Sequence, residues 1–416
     1  MTLSIFDTYE SEVRGYIRSF PTLFARAKGA EIWDSEGKRY IDFFAGAGAL
    51  NYGHNNPLIN QAIIDYLQKD GISHALDMGT EAKRDFIQSF VTHILQPRGL
   101  EYKLQFVGPT GTNAIETALK IARKVKGRKQ VISFTNGFHG MSMGSLSITG
   151  NRYYHDDNYG VPSYTTQVPF HNYLGDKVDT IAYLRKILQD TSSGTELPAA
   201  IVLETIQAEG GINVAGEPWL RELRKVCDDF DILFIADEIQ VGNGRTGDFF
   251  SFERAGIQPD IVTLSKSIGG GLPMSLVLLK PELDQWSPGE HSGTFRGFNW
   301  GFVAAHTAIE HYWANGQFSA DIKTKAQQVQ MRMQDLALSF PQITREVRGH
   351  GFIWGLELKE AEHGSQICRR AFELGLVIET AGAEGNVIKF LGPLILTPEQ
   401  IDEGFDLLKQ AMHEIA

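Results

Sequence analysis

Five short apolar runs in the middle of the chain constrain its fold more than any other feature. They lie at 104–107, 131–134, 199–203, 232–236 and 261–264. Each is rich in β-branched or large apolar residues and barely alternates with polar ones. Strands buried on both faces of a parallel sheet read this way. Helical patterns lie between them. Ile115, Ala118, Leu119 and Ala122 recur at helical spacing, while Glu116, Lys120 and Arg123 face away. Strand–helix alternation of this kind predicts an α/β fold with helices on both faces of the sheet. The stretches 351–358, 377–378 and 387–390 read as strands among helices such as 397–415, which predicts a smaller α+β domain. Strand-like 31–33 and 40–43, around a turn at 34–37, are expected to join it. With 416 residues the chain has room for two domains. The expected division is 1–60 as an N-terminal part of the small domain, 61–309 as the large domain and 310–416 as the rest of the small one.

Several classes of function are disfavoured. The net charge of −11 argues against a nucleic-acid or anionic-membrane partner. No apolar run approaches the roughly 18–20 residues that span a bilayer. The first residues lack the basic start and apolar core of a signal peptide. Cys227 and Cys368 lie far apart, with no Cys-x-x-Cys and no disulfide framework. Together these features predict a cytoplasmic enzyme. His54, His74 and His139 sit in different motifs without metal-ligand spacing, so no metal site is expected.

Ligands of open parallel sheets bind beyond the carboxyl ends of the strands. The first run leads into Gly108-Pro109-Thr110-Gly111-Thr112 at a helix start, where free N–H groups and the helix dipole suit a phosphate. Taken alone, this is equally an ordinary N-cap. The second run is followed by Phe138-His139-Gly140; Phe138 can stack on a flat ring, although an isolated aromatic is more often core. The third and fourth lead to Glu204 and to Asp237-Glu238. A buried acid such as Asp237 needs a cationic partner, either a structural ion pair or a protonated pyridine nitrogen. The fifth ends at Ser265-Lys266, near Gly269-Gly270-Gly271. A desolvated lysine suits Schiff-base chemistry, whereas an exposed loop lysine would not. Phosphate cradle, ring stacker, carboxylate and lysine on one sheet edge are what pyridoxal phosphate demands.

The sequence resembles the class III, or ω-amino-acid, aminotransferases over nearly its whole length. The resemblance is carried by Ile235-Ala236-Asp237-Glu238-Ile239-Gln240-Val241-Gly242, Gly244-Arg245-Thr246-Gly247, Pro259-Asp260-Ile261, Ser265-Lys266 and Gly269-Gly270-Gly271-Leu272-Pro273. Asn51-Tyr52-Gly53-His54-Asn55-Asn56-Pro57 and Phe138-His139-Gly140 match two further blocks. The resemblance implies fold type I, a large domain with a mainly parallel seven-stranded sheet and a small domain built from both termini. It implies that Lys266 carries pyridoxal 5'-phosphate and shuttles a proton. Asp237 would pair with the ring nitrogen, Gly111 and Thr112 hold the phosphate, Phe138 stacks on the ring and Gln240 contacts its hydroxyl. Thr294 would reach a phosphate across a dimer interface, so a homodimer or homotetramer is implied.

Shorter blocks resemble the diaminobutyrate–2-oxoglutarate aminotransferases of ectoine biosynthesis. These are Glu10-Ser11-Glu12-Val13-Arg14, Arg18-Ser19-Phe20-Pro21, His74-Ala75-Leu76-Asp77-Met78, 108–114 and Gly293-Thr294-Phe295-Arg296-Gly297. That family moves the amino group of L-glutamate onto L-aspartate 4-semialdehyde, giving L-2,4-diaminobutyrate and 2-oxoglutarate. Glu209 matches a glutamate that covers an arginine in many relatives, but Lys389 stands in the arginine's place. A lysine lacks the bidentate fork, so the substrate carboxylate is expected at Lys389 or at another cation such as Arg296. Asn113 and Thr205 also depart from the family's usual glutamate and proline. Rival readings are another ω-aminotransferase (ornithine, 4-aminobutyrate or lysine), a pyridoxal-phosphate aminomutase, or a non-catalytic protein on this fold. A nicotinamide dehydrogenase has only Gly46-x-Gly48, with Asn51 where the last glycine belongs.

Overall fold

The computed structural model describes residues 3–416; residues 1 and 2, at the head of the expected N-terminal part, lie outside the described residues. The central sheet has seven strands in the order Lys103–Phe106, Leu276–Leu279, Ile261–Leu264, Leu233–Asp237, Ala200–Leu203, Val131–Phe134 and Thr165–Val168. Only Leu276–Leu279 runs antiparallel to its neighbours.

The lack of alternation in the apolar runs has a direct cause. Val131, Ala200, Val202, Leu233 and Ile235 point to one face, onto Ala114, Ile115, Ala118, Leu119 and Ala122 of helix Gly111–Lys126. Ile132, Phe134, Ile201, Leu203, Phe234 and Ala236 point to the other, in one core with Trp219, Leu220, Leu223 and Val226 of helix Glu217–Asp229. Both faces are dry, so nearly every position is apolar, with Ser133 and Thr263 the buried polar exceptions within the runs. A fully buried side chain of this size contributes about 1.5–3 kcal/mol.

Two strands escape the sequence reading. Leu276–Leu279 is apolar but follows directly on the glycine-rich turn at 269–273. Thr165–Val168 is the edge strand, with only Val168 buried, so its sequence carries little apolar signal.

Two smaller sheets flank the central one. Phe24–Lys28, Glu31–Asp34 and Arg39–Asp42 form a meander whose last strand pairs in parallel with Leu376–Val377. Thr344–His350, Ile353–Leu358, Val387–Phe390 and Glu379–Ala381 form an antiparallel sheet. Helices Ala361–Leu374 and Pro398–Ile415 cover this region, burying Ile367, Phe405 and Leu408. Among the described residues no helix is long and apolar enough to cross a membrane.

The chain after Arg39–Asp42 turns sharply. Ala45, Gly46 and Ala47 all take left-handed backbone angles, with φ of 49°, 56° and 56°. Two consecutive N–H groups, of Phe44 and Ala45, donate to Asp42 Oδ1 at 2.8 Å each, and His54 Nε2 lies 2.8 Å from Asp42 Oδ2. Alanine in this region is strained. The turn directs the Ala47 carbonyl toward the end of the central sheet.

Candidate active site

The ends of the second to fifth runs converge on one cavity of about 190 Å3, and Gly111 and Thr112, at the start of the helix that follows the first run, line it too. Its lining also includes Phe138, Glu204, Asp237, Gln240 and Lys266. Gly111 opens the helix, where N–H groups of the first turn have no intrahelical acceptor. A side chain here would press on Ile239 at 3.1 Å, so glycine keeps the helix start close to the cavity. Thr112 Oγ1 lies 2.9 Å from Ser145 Oγ.

Lys266 follows the buried strand Ile261–Leu264 and is itself left-handed, with φ of 51°. Its Nζ donates to the Ala47 carbonyl at 2.8 Å. Gln240 Nε2 donates to the same carbonyl at 2.8 Å. Burial disfavours the ammonium and brings Lys266 down to about 8, although Glu209 and Asp237 pull the other way. An amine that deprotonates near neutrality is a usable nucleophile and base.

Asp237 closes strand Leu233–Asp237 and is buried. Its partner within the chain is His139, whose Nδ1 lies 2.7 Å from Asp237 Oδ2. Oδ1 accepts from the Ile239 N–H at 3.1 Å. Burial alone would lower His139, but the hydrogen bond and charge of Asp237 outweigh it, and the ring holds its proton more tightly than usual. His139 carried no assigned role in the sequence reading; its position after Phe138 was the only signal. Glu204 accepts from the N–H groups of Phe138 at 3.0 Å and Ala208 at 3.2 Å. Burial pushes its carboxyl up to about 7, with Asp237 adding to the effect.

Glu209 Oε1 lies 2.7 Å from Lys389 Nζ and accepts from Gln240 Nε2 at 3.0 Å. Lys389 is fully buried, and Glu379 Oε1 is 2.8 Å from the same ammonium. Burial alone would lower Lys389, but its two carboxylates hold it firmly charged. Burial would raise Glu209, yet Lys389 and Lys266 bring it below the usual carboxylate range. Glu379 goes the other way, raised by burial and by the charge of Glu209. One ammonium therefore serves two acids unequally, and Glu209 is the firmly ionised one. Glu379 was not singled out from sequence, because a polar three-residue strand carries no pattern.

Thr294 and Arg296 are not brought to this cavity within the chain. They lie in the turn Thr294–Gly297, where Arg296 pairs with Asp77 at 2.7 Å and donates to the His291 carbonyl at 3.0 Å. Among the described residues no cluster of His, Cys, Asp and Glu is arranged to hold a metal.

The family model for class-III aminotransferases matches residues 15–412. A relative from Wolinella succinogenes, named diaminobutyrate–2-oxoglutarate transaminase, is 56% identical over 413 residues, covering 99% of this chain and 96% of its own. One of the same name from Streptomyces anulatus is 53% identical over 416 residues, covering 100% and 98%. Among solved structures, a transaminase from the marine bacterium Virgibacillus superposes with a TM-score of 0.88 at 20% identity, covering 99% of this chain and 98% of that one. The ornithine aminotransferase of Toxoplasma gondii gives 0.84 at 22%, covering 99% and 94%. At such identities the likeness is one of fold. The chain belongs to the class-III aminotransferases.

Proposed function

We propose that this protein transfers the amino group of L-glutamate to L-aspartate 4-semialdehyde, giving L-2,4-diaminobutyrate and 2-oxoglutarate, reversibly and by a ping-pong course, as in ectoine biosynthesis. One observation carries this reading. Relatives between 50% and 56% identical, matched over nearly the whole chain, bear the name diaminobutyrate–2-oxoglutarate transaminase.

The cavity fits pyridoxal 5'-phosphate. It offers a helix start that a Cβ at Gly111 would crowd, a buried carboxylate held by a histidine, an aromatic ring and a desolvated amine. When bound, the cofactor supplies a ring that accepts the electron pair released as a substrate C–H bond breaks. In this reading Gly111 and Thr112 take its phosphate, Phe138 covers its ring and Gln240 meets its hydroxyl. Asp237, fixed by His139, holds the proton on a ring nitrogen. Lys266 would hold the cofactor through Nζ, and the same amine would serve as the base that takes the α-proton of glutamate. Thr294 serves the phosphate from a second copy of the chain, so the working form is a homodimer or homotetramer.

Glu209 covers Lys389 while the semialdehyde or diaminobutyrate is bound. It turns aside when the α-carboxylate of glutamate needs Lys389. The Glu209–Lys389 pair favours Lys389 for this task over Arg296, which is already paired with Asp77. The remaining parts of the reading are a cytoplasmic location and the division at 60 and 309. That division is supported by the pairing of Arg39–Asp42 with Leu376–Val377.

The test is an amine panel on the cofactor-loaded protein. L-2,4-diaminobutyrate, ornithine, 4-aminobutyrate and lysine are each supplied with 2-oxoglutarate, and glutamate is quantified. Strong preference for diaminobutyrate is expected. Preference for another ω-amine would keep the class and overturn the substrate.

A further inference from the structure

Lys389 has no exposed surface, whereas the Glu209 side chain keeps 26% of its own and Glu379 keeps 14%. A substrate carboxylate therefore reaches the ammonium only by replacing one of the acids. Glu379 is held in the sheet directly across from Lys389, in register with it on the neighbouring strand. Glu209 is in a loop beyond Ile206–Gln207, where its carbonyl accepts from Gly382 at 2.9 Å and, besides Lys389, its carboxylate meets only the Gln240 side-chain amide, at 3.0 Å. The strand acid is the fixed partner and the loop acid the movable one.

A buried lysine without a counter-charge costs several kcal/mol. If Glu209 were its sole partner, its departure would leave such a charge bare until substrate arrived. We propose that Glu379 is a positioning residue that makes this ion pair exchangeable, keeping Lys389 paired while a substrate carboxylate takes the place of Glu209. This rests on the reading of Glu209 and Lys389 given above. The two acids' opposite shifts agree with it. Glu379 is raised by burial and in part by the charge of Glu209, so the departure of Glu209 favours the charged form of Glu379 beside Lys389.

The consequence is kinetic. Glu379 weakens the hold of Lys389 on Glu209 and on a substrate carboxylate alike, so the equilibrium between them changes little. What it lowers is the barrier between them. Glutarate, a dicarboxylate with no amino group, reads this exchange without turnover.

Stopped-flow mixing of cofactor-loaded, full-length protein with glutarate tests the idea. Glu379→Gln is expected to slow both association and dissociation about tenfold. The dissociation constant is expected to stay within about threefold of wild type. The glutamate half-reaction should slow in parallel, the diaminobutyrate half-reaction should keep its rate, and Glu379→Asp should restore exchange. Glu209→Gln is the companion variant and should speed glutarate association. If it does so while Glu379→Gln leaves the rate unchanged, the role of Glu379 is overturned and the Glu209 cover stands. If Glu209→Gln also changes nothing, the cover itself fails, and this proposal with it. A purely structural Glu379 would lower the melting temperature and slow both half-reactions alike, which would equally overturn it.

Discussion

His139 Nδ1 lies 2.7 Å from Asp237 Oδ2, and both side chains are buried. The pair is set by two strand ends whose residues are 98 positions apart in sequence. Losing His139 leaves the carboxylate with fewer partners in a dry site. His139→Gln is expected to weaken cofactor retention about tenfold, measured by equilibrium dialysis. The same variant checks a pH effect. His139 binds its proton more tightly in the folded chain than its ordinary value of 6.5. The stability this adds is fully present below 6.5 and is lost as pH rises through the higher folded value. The gap between wild type and His139→Gln in denaturant midpoint should therefore shrink as pH is raised from 6.5 upward. A gap that widened would contradict the pairing.

Lys266 supplies a second prediction. Its amine loses its proton at about 8, because burial disfavours the charge. Capture of added pyridoxal phosphate by cofactor-free protein needs the neutral amine, so its rate should climb with pH through 8 and then level off. Lys266→Ala should abolish this capture and lower multiple turnover by at least about 10^3-fold. A Lys266→Ala protein that kept its turnover would remove this residue from the chemistry.

Much of this arrangement is legible in the sequence for a physical reason. Strands 131–134 and 261–264 agree with their apolar runs to the residue, because both faces are covered and the run ends where the cover ends. The site residues follow from asking what stands at the end of each run. Long-range pairings are a different matter. Nothing local marks His139 as the partner of Asp237, a contact between distant strand ends, and Glu379 comes opposite Lys389 only through the register of a hairpin whose first strand has three residues. The strained turn at 45–47 is also invisible, because alanine gives no sign of a positive φ.

Glu204, like His139, holds its proton more tightly in the folded chain. Its folded carboxyl titrates at about 7, against an ordinary 4.5. Below 4.5 both states are protonated and the group is neutral in its effect. Between 4.5 and 7 the unfolded chain releases the proton while the folded chain retains it, so wild type loses stability as pH rises. Glu204→Gln mimics the protonated form and escapes this loss. Its stability relative to wild type should grow between pH 4.5 and 7 and level off above, as read from denaturant midpoints. A constant difference across that range would place Glu204 in an ordinary, solvated setting.

Arg245 lies in a family motif yet outside the cavity, and its contacts explain the motif. It has no exposed surface. Its Nη1 donates to the carbonyls of Gly392 at 2.5 Å and Phe352 at 3.3 Å, and its Nη2 to the Asn51 side chain. Asn51 in turn donates to the Asn243 carbonyl at 2.9 Å. One guanidinium thus joins the N-terminal segment, the end of the central sheet and two C-terminal loops. Burial pushes Arg245 down to about 9, and its Nε has no partner among the described residues, so the charge is held at a cost. The carbonyls it satisfies would be left bare by an apolar substitute, which outweighs the relief of removing the charge. Arg245→Met is expected to destabilise the protein by about 3 kcal/mol. Because none of its hydrogen-bond partners lines the cavity, turnover per folded molecule at low temperature should stay near wild type. A variant that melts normally but turns over poorly would move Arg245 from fastening the segments to serving the reaction.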